Sequence, residues 1–157
     1  MPNSGVPYEE VYRASAHEVG HAMVAAEFGV QVYYVLVHRD GSGLSETDVP
    51  HSPIVDLKLT LGGYIAEAMA ENEVPTFKGM TMLASNEDDL EDVGRILMDK
   101  RIKPEIALPK AFEAVVKFFS MPANFYRMKK LAKQLAKTRY LGGTYFNSRK
   151  VKTDGEV

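Results

Sequence analysis

The chain has 157 residues, of which 45% are apolar and 25% charged, with a net charge of −2, as is typical of one globular domain. The near-neutral charge gives no electrostatic basis for binding nucleic acid, and the absence of cysteine excludes disulfides, thiol nucleophiles and cysteine-ligated zinc. We find no signal peptide and no apolar run near the roughly 18 residues of a membrane-spanning helix, so we expect a cytoplasmic protein with no membrane span.

The predicted elements are a helix, a small sheet and then several helices within a single domain, residues 1–157. A helix is predicted from Pro7 to Gly29, followed by a strand at 30–38 and a short return strand at 44–49. Ser52 is predicted to cap a second helix, which a loop at 72–86 separates from a third helix. Two further helices, at about 109–121 and 122–140, precede a frayed tail from about residue 144. This order predicts an α+β fold that is mostly α-helical.

The first helix carries the run HEVGH, in which two histidines lie one helical turn apart. His17 and His21 can therefore share one metal ion, while Glu18 points to the side and can act as a general base on a water. This is the chemistry of the HExxH motif of zinc proteases. The alternative is a fortuitous histidine pair in a helical scaffold protein, which predicts no stoichiometric metal. Gly20 inside the helix indicates a close approach by another segment, because an interior glycine costs about 1 kcal/mol relative to alanine.

A catalytic zinc site usually has a third protein ligand. The metzincin class is excluded, because Val24 and Glu27 stand where its glycine and third histidine would be. The remaining histidines, His38 and His51, lie in a predicted strand and a turn, and we expect both to be ordinary surface residues.

Two acidic segments offer the third ligand. In the predicted third helix, Asp89 lies about 50° from the centre of the apolar face and Asp88 about 150° from it, so Asp89 borders the interior. Asp88 also has the spacing from Ser85 of a helix cap. Glu67 competes for the same place, as a ligand or as a residue that orients an imidazole. Gly62 and Gly63, shortly before it, again indicate close packing against a neighbouring segment.

Three motifs in this order, HEVGHAMVAAEFG, LGGYIAEAM and ASNEDDLEDV, resemble the protease domain of the FtsH-type AAA+ zinc metalloproteases (peptidase family M41). The resemblance covers about residues 8–145. Within it, Tyr64 stands where the family has arginine, and Asn86 is followed by a glutamate and two aspartates rather than directly by the ligand aspartate. Matching the downstream apolar positions selects Asp89.

The resemblance implies a zincin-like fold, with the HExxH helix, a small β-sheet and a C-terminal helical hairpin. It implies Zn²⁺ as the cofactor and Glu18 as the catalytic base. The implied zinc ligands are His17, His21 and Asp89, with Glu67 supporting them.

The expected function is ATP-independent hydrolysis of peptide bonds in unfolded or extended protein segments. No GxxxxGK(S/T) phosphate loop is present, so we expect substrates that are already unfolded or that arrive from a separate AAA+ ATPase. The sequence does not determine the oligomeric state, and a homo-oligomer is one of the possible states. The substrate is expected to add a strand to a sheet edge, at 35–37 or 44–47. The alternative function is a zinc-stabilised but catalytically idle module that binds unfolded segments or a partner ATPase.

Overall fold

The computed structural model describes residues 5–147, and within this range the chain forms six α-helices and one three-stranded antiparallel sheet. The fold is therefore α+β and mostly helical, as the sequence predicts. The helices are α1 (Tyr8–Glu27), α2 (Pro53–Ala70), α3 (Phe77–Thr81), α4 (Glu87–Leu97), α5 (Pro104–Ser120) and α6 (Pro122–Thr138). The strands are β1 (Val32–Val37), β2 (Gly43–Thr47) and β3 (Tyr140–Gly142).

Helices α1 and α2 pack together at the centre of the fold, and glycines bring their backbones close. A Cβ atom on Gly20 would lie 2.3 Å from the carbonyl oxygen of Gly62 and 2.5 Å from the Cβ of Ala66. A Cβ atom on Gly62 would lie 2.8 Å from Cγ2 of Val24. The close approach predicted from these interior glycines is confirmed. It sets the histidine-bearing side of α1 directly against α2.

Strand β1 is the centre of the sheet, with β2 on one side and β3 on the other. Residues 35–37 are therefore hydrogen-bonded on both sides, and their proposed role as a free edge is wrong. Residues 44–47 lie in β2, which is an edge strand. The sequence did not predict β3, because three residues directly after a helix are too few to show an alternating pattern.

The segment predicted as a loop, 72–86, contains helix α3 and a 3₁₀ turn at Ala84–Asn86. Thr76 caps α3, since its hydroxyl accepts a hydrogen bond from the N–H of Gly79 at 2.9 Å. Met80 anchors the short helix in the core and is fully buried. The loop prediction is wrong here because a helix of little more than one turn leaves no measurable periodicity.

The predicted N-terminal cap is confirmed for α2 but not for α4. Ser52 caps α2 as predicted, and its hydroxyl accepts from the N–H of Val55 at 3.2 Å. Helix α4 has Asn86 at its N-cap without a side-chain cap hydrogen bond. The predicted cap formed by Ser85 and Asp88 is therefore wrong, because Ser85 already lies in the preceding 3₁₀ turn.

Helix α5 begins at Pro104 rather than at Pro109, which lies inside it. Pro104 is in the first turn, where proline is well tolerated, whereas Pro109 in the helix interior has no N–H to donate to the preceding turn. Helix α5 packs against α2, and α6 packs against α1. Within residues 5–147, none of the helices combines the length and the apolar character that crossing a bilayer requires.

The chain after α6 packs back onto the sheet. Gly143–Tyr145 form a 3₁₀ turn, and the side chain of Phe146 behind it is buried. The amide of Asn147 donates to the carbonyl oxygen of Val32 at 2.8 Å and accepts from the Val32 N–H at 2.9 Å. The predicted frayed tail is therefore wrong for residues 144–147, and the rest of that prediction lies outside the described residues.

Candidate metal centre

His17 and His21 lie on the face of α1 that packs against α2, and both are buried, at 9% and 8% exposure. Their imidazole rings meet edge to face, with centroids 4.8 Å apart. Asp89, in the first turn of α4, completes a group in which one ligand atom from each residue lies within 4.8 Å of the others. The structure thus brings together the three residues that the sequence assigned as ligands, and this group could hold a metal ion.

Asp89 contacts the same nitrogen atom of both histidines. Its Oδ2 lies 2.8 Å from Nε2 of His17 and 3.2 Å from Nε2 of His21. Burial lowers the pKa of His17, yet hydrogen bonds to Asp89 and Glu67 outweigh burial and raise this pKa to about 10. Burial raises the pKa of Asp89, but the adjacent imidazoles hold it well below its usual range. Without a metal ion, protonated imidazole and the Asp89 carboxylate therefore balance each other's charge, and a metal ion that bound between them would displace the protons from the nitrogen atoms.

The Nδ1 atom of each imidazole makes a hydrogen bond within the protein. Nδ1–H of His17 donates to Oε1 of Glu67 at 2.9 Å, and Nδ1–H of His21 donates to the carbonyl oxygen of Leu59 at 2.8 Å. These bonds fix each ring orientation and leave both Nε2 atoms for a shared ligand. Histidine ligands of protein metal sites are oriented in this way by carboxylates and backbone carbonyls.

Gly63 of α2 faces the two Nε2 atoms. A Cβ atom at this position would lie 2.5 Å from Nε2 of His21 and 2.6 Å from Nε2 of His17. The missing side chain thus leaves open the space that both nitrogens border. Two imidazoles and one carboxylate around such a space are a donor set that suits zinc and several other divalent transition metals.

Glu67 is buried, at 6% exposure, rather than solvated. Its Oε2 accepts from Nε and from a terminal nitrogen of Arg13, at 3.1 and 2.8 Å. Arg13, Glu67 and His17 therefore form one continuous chain of hydrogen bonds that leads to Nε2. The sequence reading missed Arg13, although its position four residues before His17 places it on the same face of α1.

Replacing Glu67 by glutamine should weaken metal binding about tenfold to a hundredfold. Glutamine keeps the shape of the side chain but removes the negative charge that orients His17 and balances Arg13. Competition titration with a chromophoric chelator measures the affinity. Glu71→Gln is the matched control. Glu71 is exposed, and it lies four residues after Glu67, at the C-cap of α2. Equal affinity in the two variants would show that Glu67 does not act through His17.

Glu18 lies beside the three grouped residues and is half-buried against strand β2. The hydroxyl of Ser45 lies 2.9 Å from Oε1 of Glu18 and 2.8 Å from its backbone carbonyl oxygen. A Cβ atom on Gly43 would lie 2.6 Å from Cγ of Glu18. Ser45 lies in the edge segment predicted at 44–47, but its contact with Glu18 and that of Gly43 were not predicted, because nothing in their local pattern connects them to α1.

These residues line a cleft of about 830 Å³ between α1, α2, α4 and the β2 edge. The three potential ligands, together with Glu18, Ser45 and Arg13, all contribute to its wall. The cleft is large enough to hold several residues of an extended peptide, since drug-sized ligands occupy sites of about 300–1,000 Å³.

The other candidates from the sequence lie apart from the centre. Asp88 also lines the cleft, but its side chain is exposed and it is not part of the group of potential ligands. His38 and His51 are both exposed, as expected for ordinary surface histidines. Neither the protein-family models nor the curated protein sequences that were compared with this chain match it.

Proposed function

We propose that the chain is a zinc-dependent endopeptidase that hydrolyses peptide bonds in unfolded or extended protein segments without ATP. The observation that carries the proposal is the position of Glu18, a half-buried carboxylate in the wall of the same cleft as the buried group of His17, His21 and Asp89. Metal-assisted hydrolysis requires at least a set of metal ligands and a nearby carboxylate that does not itself bind the metal.

Zinc is the proposed ion, because two histidines and one carboxylate are a usual ligand set of catalytic zinc. His17, His21 and Asp89 would hold it through two Nε2 atoms and one carboxylate oxygen. When bound, the ion would polarise the scissile carbonyl and make the attacking water more acidic. Glu67 and Leu59 would keep the imidazoles oriented towards it.

Glu18 has the role of general base and then of general acid. It removes a proton from the water that attacks the scissile carbonyl carbon, and it passes the proton to the amine nitrogen as the peptide bond breaks. Its Oε1 accepts from Ser45, so Oε2 remains to take the proton. A glutamate in this role needs access to the cleft, which its half-buried position provides.

The free edge of β2 is the proposed seat of the substrate. Among residues 5–147, strand β2 is paired only with β1, and Gly43, Leu44, Ser45 and Thr47 line the cleft. An extended peptide that adds a strand here would use main-chain hydrogen bonds, which do not depend on sequence. Because a segment must be extended and unpaired to add a strand, we expect unfolded or extended chains as substrates.

Convergence of three sequence motifs supports the resemblance to the FtsH-type proteases. HEVGH contributes two histidines, LGGYIAEAM contributes Gly63 and Glu67, and ASNEDDLEDV contributes Asp89. The zincin-like fold, the hairpin of α5 and α6, a separate AAA+ ATPase as partner, a homo-oligomer and a cytoplasmic location follow from the same resemblance and belong to the proposal.

The decisive experiment is cleavage of a permanently unfolded, fluorescently labelled protein by the zinc-loaded chain without ATP. Glu18→Gln should reduce the rate at least about a hundredfold, because it removes the base without removing a ligand. Zinc content, measured by mass spectrometry, should stay at one ion per chain. The control is Glu27→Gln, which changes an exposed glutamate at the C-terminal end of α1 and should leave the rate unchanged.

Other outcomes separate the alternatives. Wild type and Glu18→Gln that are equally inactive, with one zinc per chain, would favour an idle binding module or a protease that needs its partner ATPase. Absence of stoichiometric metal from the wild type would favour the fortuitous histidine pair.

A further inference from the structure

Strand β2 turns alternate residues towards α1 and towards solvent. Gly43, Ser45 and Thr47 are half-buried, whereas Leu44 and Glu46 are exposed. Ser45 pairs with Val35 of the central strand, which is fully buried. The position of Ser45 is therefore fixed by the sheet, and its hydroxyl meets α1 at Glu18.

Ser45 makes two contacts with this one residue. Its hydroxyl lies 2.9 Å from Oε1 and 2.8 Å from the backbone carbonyl oxygen of Glu18. A hydroxyl has one proton to donate, so the two oxygens share it or compete for it. The contact therefore ties both the backbone and the carboxylate of Glu18 to the strand. It connects Glu18, the proposed general base, to β2, the proposed substrate-binding strand.

Gly43 closes the other side of the Glu18 side chain. A Cβ atom at position 43 would lie 2.6 Å from Cγ and 3.0 Å from Oε2 of Glu18. The backbone of β2 can thus approach the glutamate only where no side chain intervenes. Ser45 and Gly43 together define a slot on β2 that the Glu18 carboxylate occupies.

We infer that Ser45 is a positioning residue, which orients the Glu18 carboxylate for proton transfer through the hydrogen bond to Oε1. The inference rests on the proposed hydrolysis for its catalytic consequence, and on the slot in β2 for its geometry. A carboxylate that must take a proton from a water and hand it to a leaving nitrogen works best when it is held in one rotamer. The bond to Oε1 fixes that rotamer and leaves Oε2 to carry the proton.

Two variants of equal shape test the hydroxyl. Ser45→Thr keeps it, and Ser45→Val replaces it by a methyl group, while both are β-branched residues that suit a strand. We expect Ser45→Thr to retain kcat within about threefold and Ser45→Val to lose about tenfold to a hundredfold, since hydrogen bonds to charged groups are the stronger ones. KM should stay within about twofold in both, because the main-chain edge is unchanged.

A structural readout that needs neither metal nor activity completes the test. In crystal structures of the full chain, the Glu18 carboxylate should keep its place in Ser45→Thr and leave it in Ser45→Val. Gly43→Ala should displace the same carboxylate by contact and lower kcat while every hydroxyl remains. Melting temperatures measured alongside would exclude a general loss of folding in any variant.

The outcomes separate this inference from the proposed function. A wild type that cleaves, with equal kcat in the threonine and valine variants, would overturn the role of Ser45 but not the proposed hydrolysis. An unmoved Glu18 in Ser45→Val would overturn it as well. A wild type that does not cleave would instead overturn the proposed hydrolysis, and displacement of Glu18 in the valine variant alone would then still support the positioning contact.

Discussion

Gly63→Ala should abolish stoichiometric metal binding while the chain remains folded. The added methyl group would lie 2.5 and 2.6 Å from the Nε2 atoms of His21 and His17, which are the proposed ligand atoms. Carbon and nitrogen cannot approach so closely, so the imidazole rings must turn away. Because those rings are the ends of side chains, this movement costs far less than a shift of the helices. Isothermal titration with Zn²⁺ should give about one site for the wild type and none for the variant.

Gly94→Ala is the matched control for this experiment. Gly94 lies on α4, the helix that carries Asp89, and a Cβ atom there would have no neighbour within 4 Å. Alanine should therefore leave metal binding unchanged and raise stability by up to about 1 kcal/mol through its higher helix propensity. Wild-type zinc affinity in Gly63→Ala would mean that the metal does not bind between the two Nε2 atoms, and the proposed ligand set would fail.

The placement of the three potential ligands followed from helical periodicity. A spacing of four residues puts His17 and His21 on one face of any helix. The apolar positions of α4 likewise fixed the side from which Asp89 could reach the interior, and Asp89 is the member of that acidic cluster found in the group. Periodicity does not predict which element packs against each helix face, because this depends on contacts between residues far apart in the chain.

The residues that the sequence reading missed show this limit. Arg13 carried a signal, because it lies one turn before His17, but only its contact with Glu67 gives it a place at the site. Ser45 lay in the predicted edge 44–47, but nothing in the sequence indicated its contact with Glu18, since a serine in a short strand resembles any turn residue. The elements that were missed, α3 and β3, have five and three residues, and elements of this length produce no period to detect.

Gly20→Ala should destabilise the whole fold, by about 3 kcal/mol, rather than the metal centre alone. Its methyl group would lie 2.3 Å from the carbonyl oxygen of Gly62 and 2.5 Å from the Cβ of Ala66. Backbone atoms cannot swing aside, so α1 and α2 must separate along the contact that orders the core. The gain in helix propensity, at most about 1 kcal/mol, does not offset this loss. Thermal unfolding should show a melting temperature lower by roughly 6–12 °C.

A second substitution tests whether the clash is with backbone or with side chain. Ala66→Gly added to Gly20→Ala removes the Cβ contact but leaves the carbonyl oxygen of Gly62 in place. Little stability should therefore return, whereas full recovery would show that the two backbones can move apart at low cost. Gly63→Ala and Gly20→Ala thus have opposite expected signatures, loss of metal with retained fold and loss of fold. This contrast follows from whether the added methyl group meets the end of a side chain or a main-chain atom.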